Sequence, residues 1–67
     1  MPAGKTDKKA ARQLKAQHGI AYASALQAIR DARELPDFRD RVDEKKDQGM
    51  ATVEAIVAVV NETYTWD

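Results

Sequence analysis

Three breaks limit what this chain can build: Gly19, the dipeptide Leu35-Pro36 and Gly49. A glycine just past an amphipathic run is the usual left-handed stop of a helix. A proline disfavours helical geometry at the residue before it and suits the first turn of a new helix. The breaks leave four stretches, each about the length of a short helix. Within each, apolar side chains recur at helical spacing.

The first stretch, from about Asp7 to His18, places Ala10, Ala11 and Leu14 on one face, with Thr6 or Asp7 as N-cap and Ile20 closing back over the Gly19 stop. The second, Ala21 to Glu34, gathers Tyr22, Ala25, Leu26, Ile29 and Ala32 on one side. Its other side holds Ala23, Ser24, Gln27, Arg30, Asp31 and Glu34. The third, beginning at Leu35-Pro36 and running from Asp37 to Gln48, is anchored only by Phe38 and Val42. The rest is charge, arranged as possible i,i+4 pairs such as Asp37/Arg41 and Arg39/Asp43. The fourth, Ala51 to Tyr64, aligns Val53, Ile56, Val57, Val60 and Tyr64, with Thr52 as a cap, and is the main core element. Val59 and Trp66 fall near the edge of that face. The β-branched run Ile56 to Val60 also suits a buried strand, but a lone strand has no pairing partner in this chain. The expected architecture is therefore all-α, a small bundle of three to four short helices. Residues 1–6, with Pro2, Gly4 and Lys5, read as a flexible basic arm, and residues 7–67 as a single helical domain.

At 67 residues the core must be small, and twelve of the hydrophobic residues are alanines. Dimerisation or a partner would supplement so limited a core, and a homodimer is expected. Without cysteine there is no disulfide, thiolate metal site or cysteine nucleophile, a usage that suits the cytoplasm. No apolar stretch has the length to span a bilayer, and none near the N-terminus resembles a signal peptide. No membrane role is expected.

Little here points to catalysis. Gly4-Lys5-Thr6 has the ending of a phosphate-binding loop but lacks the earlier glycine and the strand that feeds such a loop. His18, the single histidine, has no cysteine or carboxylate set to complete a metal site, and at a helix C-terminus it favours the macrodipole. Asp40, Asp43, Glu44 and Asp47 are interleaved with Arg39, Arg41, Lys45 and Lys46, which reads as a solvated salt-bridge surface. Asn61-Glu62-Thr63 matches a glycosylation sequon that matters only on secretion. With no nucleophile, base and orienter in view, the expectation is a protein without catalytic residues, metal, cofactor or small-molecule substrate.

Charge distribution is more informative than charge. Eleven Lys and Arg balance eleven Asp and Glu, yet residues 1–18 carry five cations against Asp7, net +4, while residues 49–67 carry Glu54, Glu62 and Asp67, net −3. Four of those cations, Lys5, Lys8, Arg12 and Lys15, recur at helical spacing opposite Ala10, Ala11 and Leu14, and Lys9 lies beside them. A basic helix face suits an anionic partner.

Ala11-Arg12-Gln13-Leu14, then Gly19-Ile20, then Ala25-Leu26 and Ile29-Arg30 have the rhythm of two helices joined by a glycine turn, and this stretch resembles helix-turn-helix DNA-binding regulators. It is also similar to the helical part of small ribbon-helix-helix antitoxins, although Lys5 to Lys9 are not the alternating strand which that family uses. The resemblance covers Ala11 to Arg30. It implies DNA binding: Lys5, Lys8, Lys9, Arg12 and Lys15 on phosphates, and Ser24, Gln27 and Arg30 toward base edges, with Ala23 permitting close approach. Asp31 and Glu34 on the same face confine any such reading to the first half of the second helix. The alternative is a protein-interaction module, an antitoxin, phage-encoded inhibitor or assembly adaptor, using the charged third helix and Val59, Tyr64 and Trp66.

Overall fold

The computed structural model describes residues 5–64 and residue 66. The described residues form four helices and no strand: α1 (Lys5–His18), α2 (Tyr22–Arg33), α3 (Phe38–Asp47) and α4 (Thr52–Thr63). The fold is thus a small all-α bundle.

Both glycine breaks stop helices by the expected route. Gly19 adopts a left-handed φ of +63° and donates its N–H to the Lys15 carbonyl at 2.9 Å. Gly49, at φ +100°, donates to Lys46 while Met50 reaches back to Lys45, the paired bonds of a Schellman ending. Neither site has a neighbouring atom within 4 Å of an added Cβ, so backbone conformation rather than crowding is what calls for glycine.

α4 packs against all three other helices, whereas α1 and α3 do not pack on each other. Leu14, Ile29, Val59 and Val60 are the largest wholly buried side chains, and alanines 10, 11, 25, 28 and 55 fill the spaces between them without exposure. Small side chains let α1, α2 and α4 approach closely. Phe38 and Val42 bring α3 onto this core, with Ile56 beside them on α4.

Several local expectations are corrected. Lys5 and Thr6 are already helical and belong to α1 rather than to an arm; Met1 to Gly4 lie outside the described residues. Asp7 does not cap the helix. It points inward, 8% exposed, and its carboxylate accepts a hydrogen bond from Arg33 of α2. α3 starts at Phe38 because Pro36 and Asp37 are used in a turn, in which the Phe38 N–H bonds the Leu35 carbonyl at 3.2 Å. Ala51, with no side-chain hydrogen bond to offer, occupies the N-cap of α4, and Thr52 is its first helical residue. On α2 the buried line runs through Ala25, Ala28, Ile29 and Ala32, leaving Tyr22 and Leu26 half-buried at its margin.

Candidate functional site

The outward face of α1 follows from its inward one. Asp7, Ala10, Ala11 and Leu14 are buried, which turns Lys5, Lys8, Lys9, Arg12 and Lys15 to solvent, all five exposed. At 1.5 Å per residue the line from Lys5 to Lys15 is about 15 Å long, enough to track several phosphates of a nucleic-acid strand. Among the described residues the ion pairs are Arg33–Asp7, Arg41–Asp37 and Lys45–Glu62. None uses a cation of this stripe, so no ion pair among the described residues cancels its charge. Asp7, the one anion of the segment, is turned to the opposite face and held by Arg33.

Gly19, Ile20 and Ala21 connect α1 to α2, which packs beside it. Ser24, Gln27 and Arg30 are exposed, as are Ala23, Asp31 and Glu34. Gln27 is partly committed, because its amide donates to Asp31 Oδ1 at 3.0 Å. That bond places a carboxylate beside the very group that would address a base edge, leaving Ser24 and Arg30 as the less encumbered members of the face.

The residues expected at a protein interface separate. Val59 is 0% exposed and belongs to this chain's own core: with helices on three sides, α4 buries Ala55, Ile56, Val57, Val59 and Val60, and Val59 lies within the packed arc rather than at its edge. Tyr64 and Trp66 are half-buried against the core. The Trp66 ring stacks on His18, centroids 4.2 Å apart and planes 19° from parallel, and Tyr64 tilts against it at 4.7 Å. His18 Nε2 lies 2.7 Å from Asn61 Oδ1, and the Asn61 amide donates to Gln17 at 3.0 Å. The last turn of α1 and the end of α4 therefore share a polar clasp beneath the tail. Trp66 Nε1 is buried there without a hydrogen-bond partner among the described residues.

Two features were not anticipated from sequence. Asp7 and Arg33 join α1 to α2, and the Arg33 guanidinium also lies 5.7 Å from the Phe38 ring centroid, reaching α3 by a cation–π contact. The clue was available, since Asp7 stands three, four and seven residues before Ala10, Ala11 and Leu14 and must share their face. Beside this pair an open groove of about 500 Å³ runs between α1, α3 and α4, floored by Phe38, Val42 and Ile56 and edged by Arg39 and Asp43. The second is the clasp centred on His18, whose partners lie too far along the chain for spacing to identify.

On α3, Arg41 Nε donates to Asp37 Oδ2 at 2.8 Å, the i,i+4 pair expected, whereas Arg39 and Asp43 form no such bond. The hydrogen bond from Arg41 holds the Asp37 carboxyl below its ordinary 3.8 and, reciprocally, raises Arg41. Among the described residues no group of three His, Cys, Asp or Glu side chains is placed to hold a metal ion, and no helix is long and apolar enough to cross a membrane. No protein-family model, curated protein or solved structure matches the chain.

Proposed function

We propose that this protein is a small, non-enzymatic DNA-binding regulator of the cytoplasm that meets the phosphate backbone with the outward face of α1. The observation that carries the reading is the set of five exposed cations, Lys5, Lys8, Lys9, Arg12 and Lys15, on one helix face with no ion pair among the described residues. Phosphate contacts of this kind supply affinity and orientation, while discrimination comes from base edges. For the latter, Ser24 and Arg30 on α2 are the best-placed groups, with Gln27 able to contribute once it leaves Asp31. Asp31 and Glu34 repel the backbone and keep the second half of α2 away from it.

Fluorescence anisotropy of a labelled duplex, titrated at several salt concentrations, tests this directly. Three to five neutralised phosphates give a slope of about −3 to −4.5 in log K against log salt. Lys8→Glu/Arg12→Glu/Lys15→Glu removes the binding. A duplex left unbound by the unaltered chain at the lowest salt sinks the reading.

The alternative, a protein-interaction module, is favoured by α3, whose outer surface is charged and exposed. It draws little from the C-terminus, because Tyr64 and Trp66 are spent on His18 and the core.

A further inference from the structure

α1 and α3 each lie on α4 and α2 without packing on one another, and each turns its far side to solvent. On α1 that side is the basic stripe. On α3 the residues facing away from Phe38 and Val42 are Asp40, Glu44 and Asp47, at i, i+4 and i+7, and all are exposed, while Asp43 edges the groove beside those two apolar anchors. Of the four cations on the same helix none forms an ion pair with these three acids: Arg39 and Lys46 are exposed on the flank toward the groove, and Arg41 and Lys45 lie on the other flank, Arg41 close enough to Glu44 to share its field. Arg41 is tied to Asp37, and Lys45 reaches across to Glu62 of α4 at 2.5 Å. The three ion pairs among the described residues take no member of either stripe. The chain has a net charge of zero, so little overall repulsion keeps copies apart. Among the described residues each molecule thus exposes a basic stripe on one helix and an acidic stripe on another, neither engaged in an ion pair, and the two helices do not pack on one another.

We infer that the basic stripe of α1 in one copy docks on the acidic stripe of α3 in a second copy, head to tail. The spacings agree: Lys8, Arg12 and Lys15 stand at i, i+4 and i+7, and so do Asp40, Glu44 and Asp47. Both sets are carried on helices of the same rise, so three oppositely charged pairs align over about 10 Å. Because the two surfaces differ, the contact is heterologous and leaves an unused stripe at each end, which extends into short chains of molecules rather than closing as a two-fold dimer. Exposed charges are screened beyond about 10 Å at 0.1 M salt, which makes the association reversible and confined to low ionic strength. DNA phosphates compete for the same α1 cations, so a nucleic acid bound there dissolves the chains.

Sedimentation velocity over a range of protein concentrations, at about 20 mM and about 300 mM salt, tests the inference. The unaltered chain sediments faster as its concentration rises at low salt and as a monomer at high salt. Lys8→Glu/Arg12→Glu/Lys15→Glu and Asp40→Lys/Glu44→Lys/Asp47→Lys each stay monomeric at low salt, with helicity checked by circular dichroism. An equimolar mixture of the two reversed chains associates again, since each supplies what the other lost. Should the lysine variant fail to fold, Asp40→Asn/Glu44→Gln/Asp47→Asn takes its place and also stays monomeric. A monomeric unaltered chain at low salt overturns the inference, as does a mixture that fails to associate or an altered α3 that associates like the original. The DNA reading is separated by the α3 variants, which lose self-association and keep the duplex bound. Binding of DNA by a chain that never self-associates refutes the docking alone, and self-association without DNA binding refutes the phosphate contact alone.

Discussion

α1 and α3 are both amphipathic, both exposed along one side and both carried on α4, yet they are held in different ways. α1 sinks two alanines and a leucine into the core with no exposed remainder, ties Asp7 to Arg33 in its first turn, and clasps Asn61 through Gln17 and His18 in its last. α3 commits only Phe38 and Val42, both close to a tenth exposed, together with the Arg33 contact to Phe38 and the Lys45–Glu62 pair. Apolar burial contributes about 25 cal/mol per Å², while an exposed ion pair contributes at most about 1 kcal/mol. The number of charges on a helix therefore says little about how firmly it is attached. α1 is the more firmly anchored carrier, and α3 is expected to open before it.

The largest effect that would break this contrast lies in the core. Leu14→Ala is expected to cost about 2–5 kcal/mol, measured by urea unfolding, because a wholly buried side chain leaves a cavity between α1, α2 and α4. Val42→Ala should cost clearly less, about 1–2 kcal/mol, since its site on α3 is partly open and can collapse. Equal losses at the two positions would erase the distinction. Asp7→Ala removes a largely buried carboxylate but leaves Arg33 able to reach water, and about 1 kcal/mol is expected. Native-state hydrogen exchange locates the same difference without mutation: amides of α3 should exchange by local opening while those of α1 and α4 wait for global unfolding.

Smaller effects sharpen the picture at the tail and on the surface. Trp66→Phe keeps an aromatic ring over His18 and removes a buried N–H that has no acceptor among the described residues, so stability should hold or rise by up to about 1 kcal/mol. A larger loss in thermal unfolding would mean that the indole has a partner in solution. The smallest is at Asp37, whose carboxyl should titrate below 3.8 by carbon-detected NMR and return toward that value in Arg41→Gln. Its pKa is lowered on folding, so its contribution is present above the unfolded carboxylate value and fades as pH falls through the depressed one.

Much of this molecule was legible from single residues. Gly19 and Gly49 end helices because the left-handed backbone favours a side chain without Cβ, and the spacing of Ala10, Ala11 and Leu14 is enough to turn Lys8, Arg12 and Lys15 outward. Boundaries near Asp7, Asp37 and Thr52 were less so. Asp7 is used in a pair and Thr52 in a first helical turn, while Asp37 holds the N-cap position of α3 with its side chain bonded to Arg41 rather than to the backbone. Asp7 in particular faces a choice between its own backbone and Arg33, twenty-six residues away, and local sequence carries no information about so distant a competitor.

The amino-acid sequence by itself determined an all-α bundle of three to four helices, their stops, the inward face of α1 and the thin anchoring of α3, because periodicity and backbone preference act over a few residues. Only the tertiary structure decided that Val59 is core rather than surface, that His18 and Trp66 meet, and that α1 and α3 never touch. Those outcomes depend on how many neighbours surround α4 and on which side each arrives. That is a question of three-dimensional packing, in which residues far apart in the chain compete for the same space.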